Sequence, residues 1–105
     1  MNGPRVRLRD YRALIARGRK LFSPCYLVYA MPYGRTVFKA AVKKRIGNAV
    51  ARNREKRHIR AALRHTTLKS PHLVLVILTR PAGMGFAEKQ ALLRSCLRPL
   101  APRHD

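Results

Sequence analysis

The residues best able to do chemistry in this chain are basic, and they crowd into one stretch. Between Lys43 and Arg64 stand Lys43, Lys44, Arg45, Arg52, Arg54, Lys56, Arg57, Arg60 and Arg64, against a single acid, Glu55. Interleaved signs would mark a face solvated by its own salt bridges, whereas a run this one-sided must find its partners outside the chain. Arg predominates in the later part, and its planar fork suits bidentate contacts with phosphate and stacking on bases. Hydrolytic chemistry is poorly provided for. The acids are Asp10, Glu55, Glu88 and Asp105, scattered along 105 residues, whereas a two-metal nuclease clusters several carboxylates around its cations. His58, His65, His72 and His104 could imitate a metal-independent ribonuclease, which uses imidazoles as acid and base. His58 and His65, however, sit among cations that depress an imidazole pKa. No catalytic residue and no metal site is expected in the protein itself. Cys25 and Cys96 lack metal-ligand spacing and read as small core residues in a reducing cytosol.

The whole chain carries the same bias. Twenty-four Lys and Arg against four acids give a formal net charge of +20 and a pI near 11.8. Self-repulsion at that density opposes compaction, and a polyanion relieves it. Nucleic acid is the obvious one. A membrane surface is the other, but no stretch approaches the roughly 20 apolar residues of a span, and Met1-Asn2-Gly3-Pro4-Arg5 lacks the apolar run of a signal peptide. A cytoplasmic protein needing no protein partner and no membrane is expected. Hydrophobic residues are 47% of the chain, enough for one compact RNA-binding domain over 1–105 with short flexible ends at about 1–6 and 101–105.

Periodicity supplies the elements that must position these residues. Leu8, Tyr11, Leu14 and Ile15 fall at helical spacing, which predicts a helix over Leu8–Arg17 ended by Gly18. Tyr26–Met31 and Thr36–Val42 read as strands around the turn residues Pro32-Tyr33-Gly34. Asn48 is placed to cap a helix running from Ala49 to about His65. On that helix Ala51, Glu55, Ile59, Ala62 and Leu63 share one side, while Asn53, Lys56, Arg57, Arg60 and Arg64 lie opposite or adjacent. Arg52 falls near the apolar arc and Arg54 on a third flank. Leu73–Leu78 is an apolar run without alternation, predicting a strand buried on both faces. A loop at residues 81–85 precedes a last helix marked by Phe86, Leu93, Leu97 and Leu100. The order predicts an α/β (α+β) two-layer sandwich, with about three helices on one small mixed sheet. Phe22, Tyr26, Phe38 and Phe86 are assigned to the core.

Lys43 to Arg60 also resembles a known signature. Gly47-Asn48-Ala49-Val50, Arg52-Asn53-Arg54, Lys56-Arg57 and Arg60 match the bacterial ribonuclease P protein family, whose pattern is roughly S-K-K-x-G-N-A-V-x-R-N-R-x-K-R-x-x-R. Leu8-Arg9-Asp10-Tyr11 is similar to that family's opening helix and Tyr26-Leu27-Val28-Tyr29 to its first long strand. Two positions depart: Lys43 stands where the family usually has Ser, and Ile15 where a second aromatic is common.

The resemblance implies a left-handed crossover from the second long strand through the basic helix to the buried strand. It implies a subunit that binds the catalytic RNA of ribonuclease P and the single-stranded 5′ leader of precursor tRNA. In such a holoenzyme the RNA performs the Mg2+-dependent hydrolysis, and the protein binds no cofactor alone. The surface for the RNA subunit would comprise Lys44, Arg45, Asn48, Arg52, Asn53, Arg54, Lys56, Arg57, Arg60 and Arg64. A leader cleft would comprise Tyr11, Ile15 and Tyr29, with Arg12 and Lys39 at its rim. Aromatic rings beside cations form a sequence-tolerant platform for unpaired bases. Without the resemblance, Tyr11 and Tyr29 read first as ordinary half-buried core residues, and the resemblance reverses that preference. The alternative is a structural RNA-binding protein such as a small ribosomal protein, which would need neither the Arg52-Asn53-Arg54 constellation nor an aromatic cleft.

Overall fold

A computed structural model describes residues 5–81 and 83–102. Helix α1 (Leu8–Arg17) leads into strands β1 (Arg19–Phe22), β2 (Tyr26–Pro32) and β3 (Val37–Val42). A 3-10 turn (Lys44–Ile46) then precedes helix α2 (Ala49–Leu63), strand β4 (His72–Leu78), helix α3 (Phe86–Leu97) and a closing 3-10 turn (Arg98–Leu100). The strands form one mixed sheet in the order β1-β2-β4-β3. The β1–β2 and β2–β4 pairs are antiparallel, while β3 and β4 are parallel and joined through α2. As its apolar run predicts, β4 lies inside the sheet and is buried at every position except Ile77.

Strand alternation divides the core in two. Leu21, Tyr26, Val28, Ala30, Ala40, Val74, Val76 and Leu78 face α2 and α3, where Ile59, Ala62, Leu63, Leu93, Cys96 and Leu97 close the larger cluster. Tyr29, Leu73 and Leu75 face the other way, packed by Leu14 of α1 and flanked by Val6, Tyr11, Leu27, Met31 and Ile77. One face of the sheet is therefore fully covered, and the other only where α1 lies. Both cysteines are free and buried, and burial pushes their thiols upward. Burial also holds the phenol of Tyr26 above its ordinary range, and among the described residues its hydroxyl has no hydrogen-bond partner.

Two details differ from the sequence reading. Strand β1 is an addition: Arg19-Lys20-Leu21-Phe22 is too short and too charged to show a period, yet Leu21 reaches the core. Phe22 is not a core residue, being 73% exposed, and Phe86 is 38% exposed. Gly18 ends α1 as expected, in extended conformation. Its glycine is a matter of space: a Cβ there would lie 2.4 Å from the Leu14 carbonyl oxygen and 3.2 Å from that of Ala30. The tight passage lets the chain leave α1 and enter β1 at once. The expected loose ends at residues 1–4 and 103–105 lie outside the described residues, while Val6 packs against the smaller cluster.

Candidate nucleic-acid interface

Helix α2 begins at the predicted cap. The Asn48 side-chain oxygen accepts from the Ala51 N–H at 2.9 Å, and its carbonyl accepts from Arg52 N–H at 3.0 Å. These bonds satisfy donors that the first turn leaves open. Asn48 thus has a structural duty within the segment assigned to RNA. Ile59, Ala62 and Leu63 seat the helix, and Asn53, Arg54, Arg57 and Arg60 stand exposed along it, with Arg64 at its C-cap. Arg52 and Lys56 are half-buried at the margins. Upstream, Lys44 is exposed, whereas the Arg45 guanidinium donates to the Thr79 carbonyl at 3.3 Å and ties the 3-10 turn to the end of β4.

The one acid of this segment is turned inward. The ammonium of Lys89, 4% exposed on α3, donates to both Glu55 oxygens at 2.9 and 3.2 Å. It also lies 2.9 Å from His58 Nδ1. An ammonium can only donate, so Nδ1 accepts and the imidazole is neutral in this arrangement. Burial lowers the His58 pKa first and Lys89 second, outweighing Glu55 at 3.9 Å; Arg54 and Arg57 add less. The cations foreseen as depressing His58 thus act behind burial and a lysine on another helix. His58 also meets Phe86 edge-on, with ring centroids 5.7 Å apart. Glu55 is spent on this α2–α3 clasp, so it does not neutralise the ridge. A further ion pair, Arg9–Asp10 at 3.9 Å, is remote in sequence.

A second surface lies on the partly open sheet face. Pairing aligns Lys20, Tyr29, Leu75 and Lys39 in one row across all four strands. The Lys20 ammonium sits 5.7 Å from the centroid of the Tyr29 ring, which is only 9% exposed. Tyr11 packs into the same cluster from α1, while Ile15 is 50% exposed and Arg12 and Lys39 are open to solvent. The structure therefore brings Tyr11 and Tyr29 together and leaves Ile15 and Arg12 on the solvent side of α1. The adjacent row holds Phe22, Leu27, Ile77 and Ala41. Lys20 and Phe22 escaped the sequence reading. The signal was the alternation about Leu21: once Leu21 points into the core, its two neighbours must point the other way. At the base of α1, Tyr33 donates its hydroxyl to Asp10 at 2.8 Å, and that bond raises the phenol pKa.

Both surfaces fall inside a match to the ribonuclease P family model, which spans residues 6–101. The ribonuclease P protein component of Staphylococcus carnosus is 39% identical over 94 residues, 85% of this chain and 82% of that protein. That of Brevibacillus brevis is 40% identical over 92 residues, 84% of this chain and 72% of its own length. The structure of the Staphylococcus aureus RNase P protein superposes with a TM-score of 0.79 at 25% identity, covering 90% of this chain and 91% of that one. The Thermotoga maritima RNase P protein shares the fold, with a TM-score of 0.81 at 22% identity over 93% and 98% of the two chains. A basic helix stripped of its only counter-charge and a half-covered sheet with cationic margins thus occur on the expected scaffold, and the chain belongs to the ribonuclease P protein family.

Proposed function

We propose that this protein is the RNA-binding subunit of a ribonuclease P holoenzyme that removes the 5′ leader from precursor tRNA, with its two surfaces dividing the labour. The ridge Arg52, Asn53, Arg54, Lys56, Arg57, Arg60 and Arg64, with Lys44 and Arg45 before it, faces the catalytic RNA. The sheet face bounded by Tyr11, Arg12, Ile15, Tyr29 and Lys39 holds the unpaired leader. The observation that carries this reading is the inward turn of Glu55 onto Lys89. It leaves a row of guanidinium groups that only an external polyanion can neutralise, on a chain of this family. Each phosphate so neutralised releases condensed counterions, which is where affinity for a folded RNA comes from.

Magnesium belongs to the RNA in this scheme. Glu55 is held by Lys89 and Asp10 by Tyr33 and Arg9, so neither carboxylate is free to ligate a divalent ion. Among the described residues, no three His, Cys, Asp or Glu side chains gather as ligands. The protein's contribution is therefore to bind and orient. The ridge screens repulsion between two RNAs brought together, and the sheet face fixes the leader so that the scissile bond is presented in one geometry. No helix among the described residues is long and apolar enough to cross a membrane. The test is reconstitution with a bacterial ribonuclease P RNA and precursor tRNA. The protein lowers the magnesium concentration needed for cleavage at the mature 5′ end. An unchanged magnesium requirement, with the protein bound, would reject the proposal.

A further inference from the structure

Among the described residues Phe22 is the most exposed aromatic side chain, 73% exposed at the end of β1, an edge strand of the sheet. Folding gives no reason for it. The register pairs it with Leu27 and puts it on the face that α1 leaves uncovered, diagonal to Tyr29 across the β1–β2 pair. Such diagonal neighbours are about 7–8 Å apart, within reach of aromatic side chains. Tyr29 itself presents little surface, since it is 9% exposed and has the Lys20 ammonium over its ring. The most exposed aromatic ring on this side of the sheet is therefore that of Phe22, beside Lys20 and with Arg19 on the same short strand.

Charged edge strands resist pairing with another sheet, and the surrounding net charge of +20 repels a second copy of this chain. An occupant must offer a flat apolar surface and negative charge together. An unpaired nucleotide does so: its base stacks on the ring and its phosphate meets the ammonium. Resting on the reading of this face as the leader cleft, we propose that Phe22 and Lys20 form an additional subsite for one leader nucleotide, beyond those held between α1 and the sheet. Phe22 supplies the stacking platform, and Lys20 bridges the new subsite to Tyr29.

The experiment uses the holoenzyme reconstituted with a bacterial ribonuclease P RNA and precursor tRNAs whose leaders lengthen one nucleotide at a time. Parent affinity climbs with leader length. Phe22→Ala loses a single late step, a weakening of roughly 5- to 150-fold confined to the longer leaders. Phe22→Trp restores that step and Phe22→Leu does not, which separates stacking from mere apolar contact. Because Phe22 is exposed, the melting temperature of each variant stays near that of the parent. Equal affinities for Phe22→Ala and parent at every length, with Tyr11→Ala still impaired, overturn the subsite and leave the cleft standing. So does full rescue by Phe22→Leu, or a change only in oligomeric state. If leader length adds nothing to the affinity of the parent holoenzyme, the cleft itself falls.

Discussion

The two candidate RNA surfaces are built in opposite ways. The ridge comes from one helix, its residues near in sequence, its N-terminus capped by Asn48 and its inner side clasped to α3 through Glu55 and Lys89. The sheet face is assembled from α1 and four strands. It is held by a ten-residue helix whose single fully buried residue is Leu14 and whose N-cap, Arg7, makes no side-chain bond. On the proposed division of labour, the difference follows from what each would recognise. Attraction between guanidinium and phosphate tolerates imprecise geometry, so a row of charges on a stable rod suffices. Stacking an unpaired base needs rings at defined spacing, so distant segments have to be brought into register. The ridge should therefore fail by losing charge, and the sheet face by losing alignment.

The largest effect is expected where the ridge is anchored. Lys89→Ala leaves the Glu55 carboxylate, 12% exposed in its side chain, without its partner. Removing one member of a buried pair costs about 3–5 kcal/mol, read as a shifted midpoint in urea denaturation. Adding Glu55→Ala should recover much of that loss. Equal destabilisation by the single and double variants would show that the clasp is not an ion pair in energetic terms.

Next comes alignment of the sheet face. Gly18→Ala forces a Cβ against two backbone carbonyl oxygens, and such overpacking costs about 1–3 kcal/mol. The loss should loosen α1 and lower affinity for leader-bearing RNA while leaving binding to the catalytic RNA intact. Parallel losses on both RNAs would mean that the two surfaces are not mechanically separate.

The ridge is then addressed by charge alone. Arg57→Ala with Arg60→Ala, both exposed, should flatten the salt dependence of binding to the catalytic RNA. The slope should fall by about 0.7–0.9 log unit for each phosphate no longer neutralised. An unchanged slope in a folded double variant moves the RNA surface off α2.

The smallest effect is a pH dependence. The His58 pKa lies below its ordinary 6.5 in the folded protein, so the unfolded chain binds the proton more readily. Stability is unaffected above that value, declines as pH falls through 6.5 toward the depressed folded value, and levels off beneath it. His58→Asn should remove this acid-side slope in a series of melts. A slope that persists unchanged assigns it to other groups.

The ridge was legible from sequence because charge and helical period are local signals: Asn48 as cap, Ile59, Ala62 and Leu63 as the docking side, and Arg57 and Arg60 outside. The central position of β4 was equally visible in its unbroken apolar run. What lay hidden is non-local. Nothing near Glu55 announces Lys89, which lies on the next helix. Size and hydrophobicity alone assign Phe22 to the core, and only the pairing of Leu21 with Val28 decides which way Phe22 points. Tyr11 and Tyr29 were identified as cleft residues through family resemblance, since periodicity alone cannot separate a cleft wall from a core wall.

The division of labour between the surfaces is tested most directly by the ratio of holoenzyme affinities for precursor and mature tRNA. Tyr11 is half-buried at the cleft and within the smaller core cluster, so Tyr11→Ala is assayed only after its fold is confirmed. If the surfaces divide the labour, Tyr11→Ala lowers this ratio by the equivalent of about 1–3 kcal/mol for each base that no longer stacks, with mature tRNA bound as by the parent. Arg57→Ala with Arg60→Ala should weaken assembly with the catalytic RNA and leave the ratio of the assembled enzyme unchanged. Tyr11→Ala weakening both tRNAs alike, or the arginine variant lowering the ratio as much, would contradict it.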